Sequence, residues 1–142
     1  MADRKATTVW QGGLEDGSGT VSFESSGAIT DQAVTWPARS GEPQGHTSPE
    51  ELLAAAHSSC FSMAFSAQLG KNGTPPERLN TSAVVTLKPG TGITGVALTV
   101  EASVPGIDQD KFIELANAAK DGCPVSGLFA GNAEITLDAT LA

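Results

Sequence analysis

The chain has 142 residues, of which 39% are apolar and 17% charged, with a formal net charge of −8. This is the composition of a globular chain large enough to bury a core without disulfide staples or a structural metal, and it excludes a disordered one. Eight Lys and Arg against sixteen Asp and Glu leave no basic stripe for a nucleic acid, and no run of about 18 apolar residues is present to cross a membrane.

A single domain over residues 1–142 is the expected organisation. The opening residues Met1-Ala2-Asp3-Arg4-Lys5 lead into no apolar segment of the signal-peptide kind, so the expected compartment is the cytoplasm. Aromatics are scarce, at 5% with no Tyr. The core must therefore rely on Ala, Val, Leu and Ile, and a second subunit is expected to help cover it.

Residues 6–11 read as a short strand, followed by a turn carrying Gly12, Gly13, Gly17 and Gly19. Residues 20–23 and 32–36 are two further strands rich in Val, Thr and aromatics. A polar loop, 37–47, carries Arg39, Glu42 and His46. The longest element is a helix over 49–69, with Ser48 as its cap, Pro49 at its first position and Glu51 completing a capping box. Gly70 and Gly73 end it. Leu52, Leu53, Ala54, Ala55, Ala56, Cys60, Phe61, Met63, Ala64, Phe65 and Ala67 make it apolar around much of its circumference, the pattern of a helix buried on most sides.

After Pro75-Pro76, residues 79–87 and 93–104 form two long strands joined by a turn at 88–92, hence a hairpin. A second helix over 109–120 has Asp108 as cap and an Ile107–Phe112 staple. Gly122 stops it, Cys123-Pro124-Val125-Ser126-Gly127 follows, and 133–141 is a final strand. The order βββ-α-ββ-α-β indicates an α+β fold with mainly antiparallel sheets rather than a wound βαβ fold.

Cys60, within the long helix, and Cys123, beside a proline turn, are the only cysteines. Two readings stand open: inert packed thiols, or a redox pair. Sulfur reacts as the thiolate, which apolar burial disfavours and a nearby cation favours. Arg39, just ahead of the helix, is the natural cation, and Glu50 is placed to hold its guanidinium by a bidentate contact. Glu50 and Cys60 nevertheless stand about 15 Å apart along one helix axis. One Arg does not bridge them within a chain, but two helices packed antiparallel about a two-fold axis bring Glu50 of one copy near Cys60 of the other.

His57 and Cys60, at i and i+3, also admit a metal site if His46 joins them, or a Cys-His nucleophile. The simpler reading of His57 is a buried, hydrogen-bonded imidazole. Trp36 and Phe61 read as core or pocket wall.

The segment Ser48-Pro49-Glu50-Glu51-Leu52-Leu53-Ala54-Ala55-Ala56-His57-Ser58-Ser59-Cys60-Phe61-Ser62-Met63-Ala64 resembles the signature of the OsmC/Ohr peroxidase family, and Cys123-Pro124-Val125-Ser126 resembles its second cysteine motif. Trp10, the glycine-rich turn, Arg39 ahead of the helix and the element order fit the same family over nearly the whole chain, and His57 points to its OsmC branch. The resemblance implies an intertwined homodimer, with long central helices between antiparallel sheets and two interfacial active sites. It implies reduction of organic hydroperoxides, and more weakly hydrogen peroxide, without metal, haem, flavin or other cofactor. Cys60 is then the peroxidatic thiol, Cys123 the resolving thiol, and Arg39 with Glu50 the polar pair that activates the one and orients the peroxide. A dithiol, in relatives carried as a lipoyl group on another protein, resets the disulfide. Phe61, Met63, Phe65 and Phe129 are the expected walls of the substrate pocket. The competing reading is a dimeric module that binds a lipid-like ligand and has inert thiols.

Overall fold

In the computed structural model, which describes residues 1–142, the strongest sequence signal becomes the longest helix. Its start follows the expected chemistry in part. The Glu51 backbone N–H donates to Ser48 Oγ at 3.1 Å, but the Glu51 carboxylate accepts from the Thr47 hydroxyl at 2.8 Å instead of closing the reciprocal half of a capping box. The helix runs Pro49–Lys71, and no helix in the chain is long and apolar enough to cross a membrane.

Two compact units divide the chain at Leu52/Leu53. In the first, β1 (Thr7–Gln11), β2 (Ser18–Ser22) and β3 (Gln32–Val34) form an antiparallel sheet in that order. The glycine-rich turn between β1 and β2 is sterically required at Gly17, where an added Cβ would lie 2.2 Å from the Gly13 carbonyl oxygen. The third strand is shorter than its sequence suggests. Thr35 leaves the sheet to cap a one-turn helix, α1 (Trp36–Ser40), by accepting from the Ala38 N–H, and Pro37 suits its first turn. Arg39 therefore stands on a helix and not in an open loop. The long helix that follows is α2.

The second unit contains the rest of α2, β4 (Arg78–Lys88), β5 (Gly92–Ser103), α3 (Gln109–Gly122), a short α4 (Pro124–Phe129) and β6 (Glu134–Leu141). The β4–β5 hairpin forms as expected, with Arg78 opposite Ser103 and a register shift between Thr86 and Leu87. One feature departs from the expected antiparallel pattern: β6 pairs with β5 in parallel, from Gly95↔Glu134 to Ala102↔Leu141. The reason is the α3–α4 connection, which is long enough to carry the chain back to the starting end of β5. One βαβ crossover is thus built into a chain whose other three strand pairings are antiparallel.

Side chains alternate along these strands as a one-sided sheet requires: Val96, Leu98, Val100 and Ala102 point inward from β5, and Leu79, Ala83, Ile135 and Leu137 flank them. Phe61, Phe65 and Leu69 of α2 and Phe112, Ala116 and Ala119 of α3 complete the core. The rings of Phe61 and Phe65 lie 5.6 Å apart, and those of Phe65 and Phe112 5.3 Å apart. The expectation of a helix buried on most sides is corrected within the single chain. The buried stripe of α2 is narrow, and on another face Ala55, Ala56 and Ala67 are exposed and Met63 is 72% exposed.

Phe65 occupies the centre of this packing with no solvent exposure. Phe65→Ala is expected to lower unfolding free energy by about 3–5 kcal/mol, read from urea unfolding.

Candidate active site

The structure brings the four candidate residues together as two pairs, one in each unit. In the first, α1 presents Arg39 to Glu50, in the first turn of α2. Arg39 Nη2 donates to Glu50 Oε1 at 2.7 Å, and Nε donates to Oε1 and Oε2 at 3.1 and 3.0 Å. The two-nitrogen, two-oxygen arrangement fixes the plane of the guanidinium as well as its distance. Its Cζ also lies 5.9 Å from the Trp36 ring centre, so Trp36, one turn earlier on α1, backs the cation instead of filling the core.

Glu50 is only 8% exposed, and burial pushes its carboxyl up. Hydrogen bonds from Arg39 and from its own backbone N–H, together with the guanidinium charge, outweigh that and leave it below the ordinary carboxylate range. The same hydrogen bond to Glu50 raises Arg39 against the opposing effect of burial. The pair is ionised at every pH near neutrality.

In the second unit, Cys60 and Cys123 are free thiols whose sulfurs are 3.0 Å apart. A disulfide bond is about 2.0 Å, so closing it takes an approach of about 1 Å. Cys123 is wholly buried at the junction where α3 ends and α4 begins: its N–H donates to Ala119 O, and its carbonyl accepts from the Gly127 N–H. Burial pushes the Cys60 thiol up, as do the hydrogen bond and charge of Cys123, while a hydrogen bond from the Val125 backbone N–H pulls it down. The net direction is upward. The expectation of a lowered Cys60 pKa is therefore not met by the groups packed around it in this unit, and the thiolate needs a further positive charge.

His57, one turn before Cys60, is wholly buried. Its Nε2 lies 2.8 Å from Ser126 Oγ, and its ring stacks on Phe129 at 5.4 Å and 17°. Burial lowers its pKa, so the imidazole is neutral. The simpler expectation of a buried, hydrogen-bonded His57 matches this arrangement: Nε2 pairs with Ser126, and Nδ1 has no hydrogen-bond partner. The motif does not single out Ser126 by chemistry; its position three residues after Cys123, matching His57 three before Cys60, is the signal the sequence holds for it. His46 pairs with Thr35 Oγ1 through Nδ1 at 3.2 Å. The expected pocket walls do not gather in one place: Phe61 and Phe65 are core, Phe129 lies on His57, and Met63 is exposed.

Because the folded Glu50 carboxyl titrates below its unfolded value, its contribution to stability is complete above the unfolded pKa of about 4.3 and is lost as pH falls through the lower folded value. Chemical denaturation from pH 6 downward is expected to show this loss in the wild type and a smaller one in Glu50→Gln. Arg39→Ala, which strands a mostly buried carboxylate, is expected to cost about 1–3 kcal/mol at pH 7.

With this geometry in view, the similarities to known proteins are consistent with one another. The family described as OsmC-like protein matches residues 41–138. "Peroxiredoxin OsmC" of Escherichia coli (strain K12) is 44% identical over 138 residues, covering 95% of this chain and 94% of that protein. "Organic hydroperoxide resistance protein" of Xanthomonas axonopodis pv. citri is 29% identical over 115 residues, covering 80% and 81%. The crystal structure of an OsmC-like protein from Mycoplasma pneumoniae superposes with a TM-score of 0.76 over 99% of this chain and 98% of that one, at 16% identity, and so shares the fold. The two cysteine motifs, the element order and these similarities place the chain in the OsmC-like protein family.

Proposed function

We propose that this chain is a cysteine-based peroxidase that reduces organic hydroperoxides, and hydrogen peroxide more weakly. The observation that carries the reading is the 3.0 Å approach of Cys60 Sγ to Cys123 Sγ, between a thiol of one helix and a thiol distant in sequence. The names of its relatives, a peroxiredoxin and an organic hydroperoxide resistance protein, support the same chemistry.

The proposed reaction runs in three steps. The Cys60 thiolate attacks the outer oxygen of the hydroperoxide, the O–O bond breaks, and the alkoxide leaves and takes a proton to become the alcohol, while Cys60 becomes a sulfenic acid. The Cys123 thiol then attacks the Cys60 sulfur, forming the disulfide and releasing water. An external dithiol, for which a lipoyl protein is the proposed carrier, reduces the disulfide by two successive exchanges and is itself oxidised. No metal or organic cofactor takes part in these steps.

Arg39 is the proposed source of the missing charge. Its role is to favour the thiolate and to stabilise the oxygen that departs, and Glu50 holds its plane for that purpose. Since Glu50 and Cys60 are about 15 Å apart along α2, the proposed assembly is a homodimer in which α2 helices pack antiparallel and the polar pair of one copy serves Cys60 of the other. The exposed Ala55, Ala56, Met63 and Ala67 supply an apolar surface suited to such packing. The proposed site of action is the cytoplasm, where a dithiol reductant is maintained.

A lipid-like ligand module with inert thiols is the competing reading, and the cysteine variants separate the two. With cumene hydroperoxide and excess dithiol, Cys60→Ser is expected to lose turnover entirely, and Cys123→Ser to reduce about one peroxide per site before stalling. Wild-type turnover no faster than that of free cysteine would remove the peroxidase reading. Sustained full-rate turnover by Cys123→Ser would remove the resolving role.

A further inference from the structure

We infer that the buried His57–Ser126 hydrogen bond is a positioning clamp for disulfide formation, holding α4 against α2 so that Cys123 stays within reach of Cys60. The inference deepens the proposed peroxidase reading and rests on it for its biological purpose, though not for its geometry.

Two links join the same pair of elements. Cys60 and His57 lie one turn apart on α2, and Cys123 and Ser126 lie at and just after the start of α4. The sulfurs meet at 3.0 Å, and the imidazole meets the hydroxyl at 2.8 Å. His57 also continues a stripe of wholly buried residues at intervals of four: His57, Phe61, Phe65 and Leu69. The three that follow it are apolar, and an apolar residue at 57 would serve packing as well. The imidazole instead leaves Nδ1 buried without a partner.

An unpartnered lone pair is tolerated better than an unpartnered N–H, which assigns the proton to Nε2 and makes Ser126 Oγ the acceptor. Ser126, 4% exposed, is shielded from the water that would otherwise compete for this bond. The gain from so placed a polar pair is direction. Apolar contacts with Phe129 let α4 slide over α2, whereas a hydrogen bond fixes both distance and angle. The slide matters because the two thiols need to close only about 1 Å, and a shift of one residue in α4 would carry Cys123 about 1.5 Å along the helix axis.

Since the clamp and the disulfide constrain the same relative motion, each favours the other by the same factor. A structural hydrogen bond elsewhere in the core would change stability without changing this equilibrium. The effective concentration of the two thiols, measured by equilibrating the full-length protein in glutathione buffers, is therefore the direct readout, and it needs no peroxide.

Ser126→Ala removes one oxygen and is expected to lower this effective concentration about fivefold. His57→Ala is expected to do the same, the double variant to lose little more than either single one, and His57→Gln, whose amide N–H reaches toward the same oxygen, to recover part of the loss. After one equivalent of cumene hydroperoxide, trapping with dimedone is expected to capture more Cys60 sulfenic acid in Ser126→Ala than in the wild type. A lower melting temperature with unchanged effective concentration would overturn the clamp and leave His57 and Ser126 as packing, as would fully additive losses. If the wild type ignores peroxide while the glutathione result holds, the peroxidase reading fails and the positioning role stands.

Discussion

The rotation of α2 about its own axis is the constraint on which the site depends, and a stripe of four side chains sets it. His57, Phe61, Phe65 and Leu69 recur every four residues and are all wholly buried. Successive members of such a row drift by about 40° around a helix of 3.6 residues per turn, so the stripe winds slowly and still keeps one face on the core. With Phe61, Phe65 and Leu69 seated in the core that β5 and α3 help to build, Cys60 falls at the margin of the buried stripe and meets Cys123. Met63, two residues beyond Phe61, is turned outward. Shifting the stripe by one position would turn α2 by about 100° and take the thiol off α4 altogether. The aromatic packing therefore sets where the Cys60 thiol of the candidate site stands.

Burial has two consequences at Cys60 that oppose one another. It holds the partly buried Cys60 sulfur 3.0 Å from the buried Cys123 sulfur, the closeness that the proposed resolving step calls for. It also raises the pKa of the Cys60 thiol, to which the neighbouring sulfur adds. One backbone N–H from Val125 pulls the other way without reversing the direction. A fixed guanidinium is the proposed remedy, and the Arg39–Glu50 pair has the form such a remedy requires. Glu50 offsets part of the charge it holds, but three hydrogen bonds at 2.7–3.1 Å keep the fork in one plane. Arg39 stays 31% exposed at its side chain, so its proposed role toward a substrate oxygen has a free edge to use. A lysine would supply the charge without the plane.

The parts of this architecture that follow local rules were legible in the sequence. The long helix has a Ser cap, a first-position Pro and terminal glycines; the hairpin has alternating strands about a Pro-Gly turn; the second helix has its Asp108 cap, whose side chain accepts from the Lys111 N–H. What escaped depends on short or distant features. A one-turn helix such as α1 has too few residues for a periodicity, although Thr35 and Pro37 marked its start. The parallel pairing of β5 and β6 depends on where the α3–α4 connection delivers the chain, which strand composition does not encode. The candidate residues themselves stood out by chemistry, as the only two cysteines and an arginine in the segment just ahead of an acid-started helix. The partner of His57 did not, because a serine in a turn has many uses and only the folded chain brings it to the imidazole.

The most direct test of the account is the intact mass of the reduced protein after one equivalent of cumene hydroperoxide, with no reductant present, followed by peptide mapping. Formation of the Cys60–Cys123 disulfide predicts a loss of about 2 mass units, with both cysteines in one linked peptide pair. An unchanged mass, with both thiols still titratable, would contradict the account and leave the close sulfurs as a packed pair without redox chemistry.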